Sequence, residues 1–139
     1  MEIFVKRLTD SARIPARVHA DDAGLDLFAD EFVVIKPQYR VLISTGVAIA
    51  IPFDHVGLIW SRSSMAVQGI STGAGVIDCG YHGEIKVLLI NNSNDIFHVN
   101  RGMRIAQLLI QPVVISTVIT IDELSETARG SNGFGSSGC

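Results

Sequence analysis

The sequence predicts an all-β domain, a sandwich or a barrel, and two observations carry that prediction. Segments rich in Val and Ile recur at short spacing: "EIFVKRL", "EFVVIKP", "RVLISTGVAIAIP", "HVGLIW", "EIKVLLI", "RIAQLLI" and "VVISTVITI". Most are bounded by Gly, Pro, Asn or Asp, the residues that end strands and start turns. Against these, only "SRSSMAVQ" (61–68) offers one or two turns of helix. Many short strands joined by turns pack as two sheets or close on themselves.

Each element follows from its residues in order. After the first two strand patterns, "RVLISTGVAIAIP" runs into a turn at Pro52-Phe53-Asp54, and "HVGLIW" follows it. The stretch "GAGVIDCGYHGEIKVLLI" (73–90) reads as a β-hairpin. Its apolar Val76-Ile77 ends on Asp78, and a turn carrying Cys79, Tyr81 and His82 follows. From Glu84 to Leu88 polar and apolar residues then alternate. Asn91-Asn92-Ser93-Asn94-Asp95 is a second turn signal. "RGMRIAQLLI" is a turn into a buried strand, and "VVISTVITI" (113–121) is read as the last strand.

At 139 residues the chain fits one domain with a real core. Its apolar content of 47% exceeds what a small domain surrounded by solvent usually carries, so part of its surface is expected to be hidden in an oligomer. The net charge is -3, and the 11 basic residues are scattered, which argues against a nucleic-acid polymer as partner. No apolar stretch approaches the roughly 18–20 residues of a spanning helix, so no membrane partner is expected. The N-terminal "MEIFVKRLTD" has charges inside its apolar run and no signal-peptide layout. Cys79 and Cys139 make neither a disulfide framework nor a metal set. A soluble protein of a reducing, intracellular compartment is the expectation.

The end of the chain differs in composition. "ARGSNGFGSSGC" (128–139) has four glycines and three serines, with Phe134 as its one large apolar residue. This divides the chain into a β domain over 1–127 and a flexible arm over 128–139. An Arg at the start of the arm and a lone aromatic between glycines resist the reading of a mere disordered tail.

Several residues could carry chemistry. In "WSRSSMA", Arg62 precedes two serines at the start of a helical turn, an arrangement that suits phosphate oxygens and equally suits a Ser cap beside a solvated Arg. Gln107 interrupts "IAQLLI"; strand alternation points it to solvent, the alternative being a site. In "DAGLDLFAD", Asp26 either buttresses a site or caps a turn. Asp78 is a turn residue or a catalytic carboxylate. His19, His55, His82 and His98 lack metal-ligand spacing, and neither a G-x-S-x-G elbow nor a P-loop occurs.

The order of these fragments is more specific than any one of them. "DAGLDLFA", "GLIWSRSSMAVQG", "GAGVIDCGYHGEIKVLLIN", "RGMRIAQLLI" and "RGSNGFGSSG" resemble, in sequence order and approximate spacing, the five motifs of the trimeric dUTP pyrophosphatases (dUTPases). The resemblance spans residues 23–138. It implies a β-clip or jelly-roll barrel, a homotrimer whose sites are shared between subunits, and hydrolysis of dUTP to dUMP and pyrophosphate with Mg²⁺. That reaction keeps uracil out of DNA and supplies dUMP for thymidylate synthesis.

Residue roles follow from the same resemblance. Asp78 would orient and deprotonate the water that attacks the α-phosphorus; carboxylates are ionised at neutral pH and act as general bases within hydrogen-bond reach. Arg62, Ser63 and Ser64 would hold the phosphate chain, with Gln107 near the α-phosphate and the water. Tyr81 would lie against the deoxyribose and leave no room for a 2′-hydroxyl. Backbone groups of Gly75, Val76, Ile77 and Lys86 would pair with the uracil edge. Asp26 would support the site. Arg129 would grip the γ-phosphate while Phe134, beside Gly135, stacks over uracil and closes the arm over a neighbouring subunit's site. Mg²⁺ would be held by the phosphates and water, with no ligand directly from protein.

Departures from the family pattern are mild. Ser131-Asn132-Gly133 stands where a residue and two glycines are usual, Ser137 replaces a Thr, and Cys79-Gly80 occupies a variable pair. Two other functions share these features. The dCTP deaminases carry a similar "RSS" segment and hairpin, but their catalytic Glu falls at the position of Leu88, which cannot shuttle protons. A nucleotide-gated binding module would be expected to have lost Asp78, the Arg62-Ser63 pair or the tail, and all are present.

Overall fold

A computed structural model of the chain describes residues 1–128, 130 and 131. Arg129, Phe134 and Gly135, and with them most of the arm expected over 128–139, lie outside the described residues.

Two antiparallel sheets form the domain. One joins β1 (Phe4–Arg7), β4 (Arg40–Ala50), β8 (Glu84–Asn91) and β6 (Ile70–Gly73), in the order β1-β4-β8-β6. The other joins β2 (Leu25–Phe28), β10 (Arg104–Pro112), β5 (His55–Trp60) and β7 (Val76–Ile77), in the order β2-β10-β5-β7. A two-stranded ribbon of β3 (Val33–Ile35) and β9 (Phe97–Val99) completes the framework. Helix is confined, among the described residues, to the single turn α1 (Ser63–Ala66). The all-β expectation therefore holds.

The core follows from strand alternation. Along β8, Ile85, Val87, Leu89 and Asn91 are buried while Lys86 faces out. From the second sheet Leu27, Ile105 and Leu108 are fully buried in the same cluster. Each such side chain removed from water contributes about 1.5–3 kcal/mol, so the period-two pattern is what holds the sheets face to face. Truncating Leu89 to Ala would remove that contribution and leave a cavity, a loss of about 2–5 kcal/mol.

Two polar devices shape the framework. Between Ser44↔Lys86 and Ala48↔Glu84 the β4 strand carries extra residues, a bulge. The ladder bonds lost there are replaced by side chains: Thr45 Oγ1 donates to Ile85 O at 2.5 Å, and Gly46 N donates to Glu84 Oε1 at 2.9 Å. At the end of β8, buried Asn91 donates to Ile35 O (3.0 Å) and Asp95 O (2.8 Å). Its Oδ1 accepts from Ser93 N, which makes the expected 91–95 turn a tie between β8 and β3.

The structure corrects two sequence readings. "VVISTVITI" is not a strand: β10 ends at Pro112, and residues 113–121 are exposed outside any regular element. Val114, Val118 and Ile119 are each more than three-quarters exposed, and among the described residues no strand pairs with the segment. The 73–90 stretch is not a hairpin either. β7 pairs with β5 and β8 pairs with β4 and β6, so residues 78–83 cross from one sheet to the other. Short β6 and β9 gave no strand signal of their own, since three or four residues carry too little periodicity.

Candidate active site

One pocket, of about 240 Å³, is lined by residues from three separated segments: Gly24 and Asp26, Arg62 and Ser63, and Gln107. Asp26 sits on β2, whose neighbour β10 presents Gln107 directly opposite it. Asp26 Oδ1 accepts from Arg62 Nε at 3.1 Å, and its Oδ2 accepts from Arg104 Nη1 at 3.3 Å. One carboxylate thus holds two guanidiniums. With its side chain only 13% exposed, Asp26 lies where charge pairing is weakly screened. Asp26 lies within β2 and pairs with two guanidiniums rather than capping a turn.

Arg62 precedes α1 and reaches Ser64 Oγ through Nη1 at 3.5 Å. Ser63 lines the pocket, while Ser64 is exposed at its margin. Gln107 lies on the face opposite buried Ala106 and Leu108, as alternation predicts, and that outer face lines the pocket. A register shift between Arg104 and Ala106 buries Ile105 and Ala106 in succession; beyond it the alternation is regular, and Gln107 donates to Ser61 O at 3.1 Å. Gly24 makes room for it: a Cβ there would lie 2.7 Å from Gln107 Oε1.

A second pocket, of about 260 Å³, contains Val76, Ile77, Asp78, Tyr81, Glu84 and Lys86, with Leu42 as a wall. Its residues come from both sheets, which the crossing at 78–83 brings together. Tyr81 N donates to Asp78 O at 3.0 Å, closing the turn, and Tyr81 Oη donates to Glu84 O at 3.0 Å. The ring is thereby held over Gly83. Lys86 Nζ pairs with Glu84 Oε2 at 3.5 Å. Asp78 itself is exposed, its carboxylate available to a ligand. Gly75 precedes β7 with φ +153, and a Cβ on it would meet Ile59 O at 2.7 Å. Gly75 O accepts from Ile59 N at 2.8 Å, so the strand start is pressed against β5.

The two pockets are separate within one chain. Ile77 is paired with Gly57 and Gln107 with Trp60, on opposite sides of β5. Three residues along a strand and two strand spacings across put Asp78 and Gln107 on the order of 15 Å apart. The structure therefore brings Arg62, Ser63, Gln107 and Asp26 together, and Val76, Ile77, Asp78, Tyr81 and Lys86 together, with Gly75 beside the second group against Ile59, but not the two groups. Sequence reasoning missed Arg104 and Glu84. Both lie inside quoted motifs, yet each reads there as an ordinary solvated strand charge.

Among the described residues no three His, Cys, Asp or Glu side chains converge as a metal cage. The first pocket offers guanidinium, hydroxyl and carboxamide groups, a donor set for phosphate oxygens. No helix of the described residues is long and apolar enough to cross a membrane.

The dUTPase family profile matches residues 10–138. The chain belongs to the dUTPase family. It is 45% identical to the deoxyuridine 5'-triphosphate nucleotidohydrolase of Clostridium kluyveri, with 99% of each chain covered. Among solved structures it resembles a point mutant of the Staphylococcus bacteriophage 80alpha dUTPase with dUpNHpp, at a TM-score of 0.93, 33% identity and 99% coverage of both chains. It also resembles a point mutant of the dUTPase from S. aureus phage phi11, at a TM-score of 0.85 and 30% identity, covering 91% of this chain and 100% of that one. That phage protein is described as coordinating a structural Mg(II) ion. The sheets described above are thus the β-clip or jelly-roll fold that the motifs implied.

Proposed function

We propose that this protein hydrolyses dUTP to dUMP and pyrophosphate, and that it does so as a homotrimer. The observation that supports this reading most is the division of the candidate residues between a pocket with donors suited to phosphate and a separate pocket beside the β7 edge, neither sufficient alone. Asp78 and the Arg62–Gln107 group must act on the same α-phosphate, and a second copy of the chain supplies the missing half. The exposed apolar segment 113–121 supports assembly as well, since burying it requires another chain.

In this reading Asp78 accepts a proton from water as the water oxygen bonds to the α-phosphorus. The bond from that phosphorus to the bridging oxygen breaks, and pyrophosphate leaves with the electron pair. Arg62, Ser63 and Ser64 hold the phosphate chain, and Gln107 lies beside the attacked phosphate. β7 is an edge strand, bonded to β5 on one side only, so its other side offers backbone N–H and C=O groups to the uracil edge. Gly75, Val76, Ile77 and Lys86 contribute there. Tyr81, tied to Glu84 O, stacks against the deoxyribose and rejects a 2′-hydroxyl. In the same reading Arg129, Phe134 and Gly135 of the arm close over a neighbouring copy's site.

Mg²⁺ fits as a metal carried by the triphosphate, since the pocket's donors are suited to phosphate; when bound it neutralises phosphate charge. The biological role follows from the reaction: removal of dUTP keeps uracil out of DNA and supplies dUMP for thymidylate synthesis, in a soluble intracellular setting.

Pyrophosphate release measured across dUTP, dTTP, dCTP and UTP tests the proposal. Release from dUTP alone is expected. Ammonia release from dCTP would overturn it, although Leu88 on β8 has no group to move a proton.

A further inference from the structure

Next to the phosphate pocket lies another cavity, of about 390 Å³, that the proposed reaction leaves unused. It shares Val18 and Asp26 with the phosphate pocket, and Arg13, Arg17 and Arg104 line it. The backbone fixes this arrangement. Ala16 bridges to Asp26, with Asp26 N donating to Ala16 O at 2.8 Å, so the segment bearing Arg13 and Arg17 is pinned to β2.

Each guanidinium is anchored without being used up. Arg13 lies over the Phe28 ring, 4.3 Å from its centroid, and donates to Gly102 O at 3.1 Å. Arg17 Nε donates to Asp22 O at 2.7 Å. Arg104 donates to Asp26. A guanidinium has five N–H donors, so most remain for another acceptor. The carboxylates nearby are Asp26, already shared with Arg62, and Asp22, whose Oδ2 accepts from His19 N at 2.9 Å. In a chain of net charge -3, three guanidiniums gathered round one cavity make a local excess of positive charge.

We propose that this cavity is a second anion subsite, and that it receives pyrophosphate released from the adjoining phosphate pocket. The identity of the anion rests on the hydrolysis proposed above. Pyrophosphate matches the site on chemistry: it is multiply charged, its oxygens suit forked guanidinium donors, and Asp26 forms the wall that the two pockets share. Its departure through a cationic cavity separates the product from the attacking machinery before the next substrate binds.

Calorimetric titration of the full chain with pyrophosphate, comparing wild type with the double variant R13Q/R17Q, tests the assignment. The variant is expected to bind pyrophosphate about tenfold more weakly, as loss of charge-assisted hydrogen bonds implies, and product inhibition should weaken in parallel. The KM for dUTP should stay unchanged, which also certifies the fold of the variant. Unchanged pyrophosphate affinity overturns the subsite, and so does a KM that rises in step with it, because the pockets would then be one. Orthophosphate binding as tightly as pyrophosphate overturns the choice of anion. If wild type fails to turn over dUTP, the hydrolysis proposal falls, while the titration still reads the cavity.

Discussion

Asp26 and Arg62, 36 positions apart, meet at 3.1 Å between Oδ1 and Nε, and this contact aims the guanidinium into the phosphate pocket. Held at Nε, the side chain presents its Nη groups to a ligand. The prediction is that Asp26→Asn weakens the hold on both Arg62 and Arg104 without removing a group that touches substrate. A misdirected clamp costs rate through lost orientation, so kcat/KM for dUTP should fall by about tenfold or more. Steady-state kinetics at matched ionic strength check this; an unchanged kcat/KM would show that Arg62 is oriented by other means.

Asp78→Asn keeps the shape of the proposed base and removes its basicity. Turnover should fall by at least about 10²-fold, the usual worth of a positioned general base, while dUTP affinity stays near wild type. Near wild-type kcat would sink the assignment.

The separation of the two pockets predicts complementation. Asp78→Asn and Arg62→Ala chains are each expected to be inactive, yet refolding them together should restore part of the activity. Mixed assemblies contain sites that take Asp78 from one chain and Arg62 from another. No recovery on mixing would argue that each chain builds its site alone.

Gly75 tolerates no side chain, because a Cβ would sit 2.7 Å from Ile59 O and its φ of +153 is strained for any other residue. Gly75→Ala should destabilise the protein by about 1–3 kcal/mol in urea unfolding and should raise the KM for dUTP more than it lowers stability-corrected kcat. A neutral substitution would remove the close approach of β7 to β5 as a determinant of the pocket.

Deleting residues 129–139 is expected to abolish most dUTP turnover while leaving the assembly and its melting temperature intact. Size-exclusion chromatography and a pyrophosphate assay on the same sample separate the two effects. Normal turnover by the shortened chain would remove Arg129 and Phe134 from the mechanism.

Much of the candidate site was legible in the sequence because its residues sit in short motifs with distinctive local chemistry. Arg62-Ser63-Ser64 and Asp78 through Tyr81 each stand out before any folding is known. Gln107 was harder: a period-two rule puts it on the outer face, and only the tertiary structure makes that face the wall of a pocket. Arg104 and Glu84 were invisible as site residues, since a charge on a strand looks the same whether or not a carboxylate or a bulge lies opposite. "VVISTVITI" misled for a related reason. Its composition states a preference for strand, but a strand exists only where another backbone is free to pair.

The sequence by itself determined the all-β class, the alternation that buries Ile85, Val87 and Leu89, and the chemistry available along the chain. These are properties of local period and residue type. Tertiary structure alone decided that β7 and β8 belong to different sheets, that Asp26 clamps Arg62 and Arg104, and that Asp78 lies apart from Gln107. Those relationships depend on which strands pair and in what register, and pairing is set by the burial of both sheet faces at once.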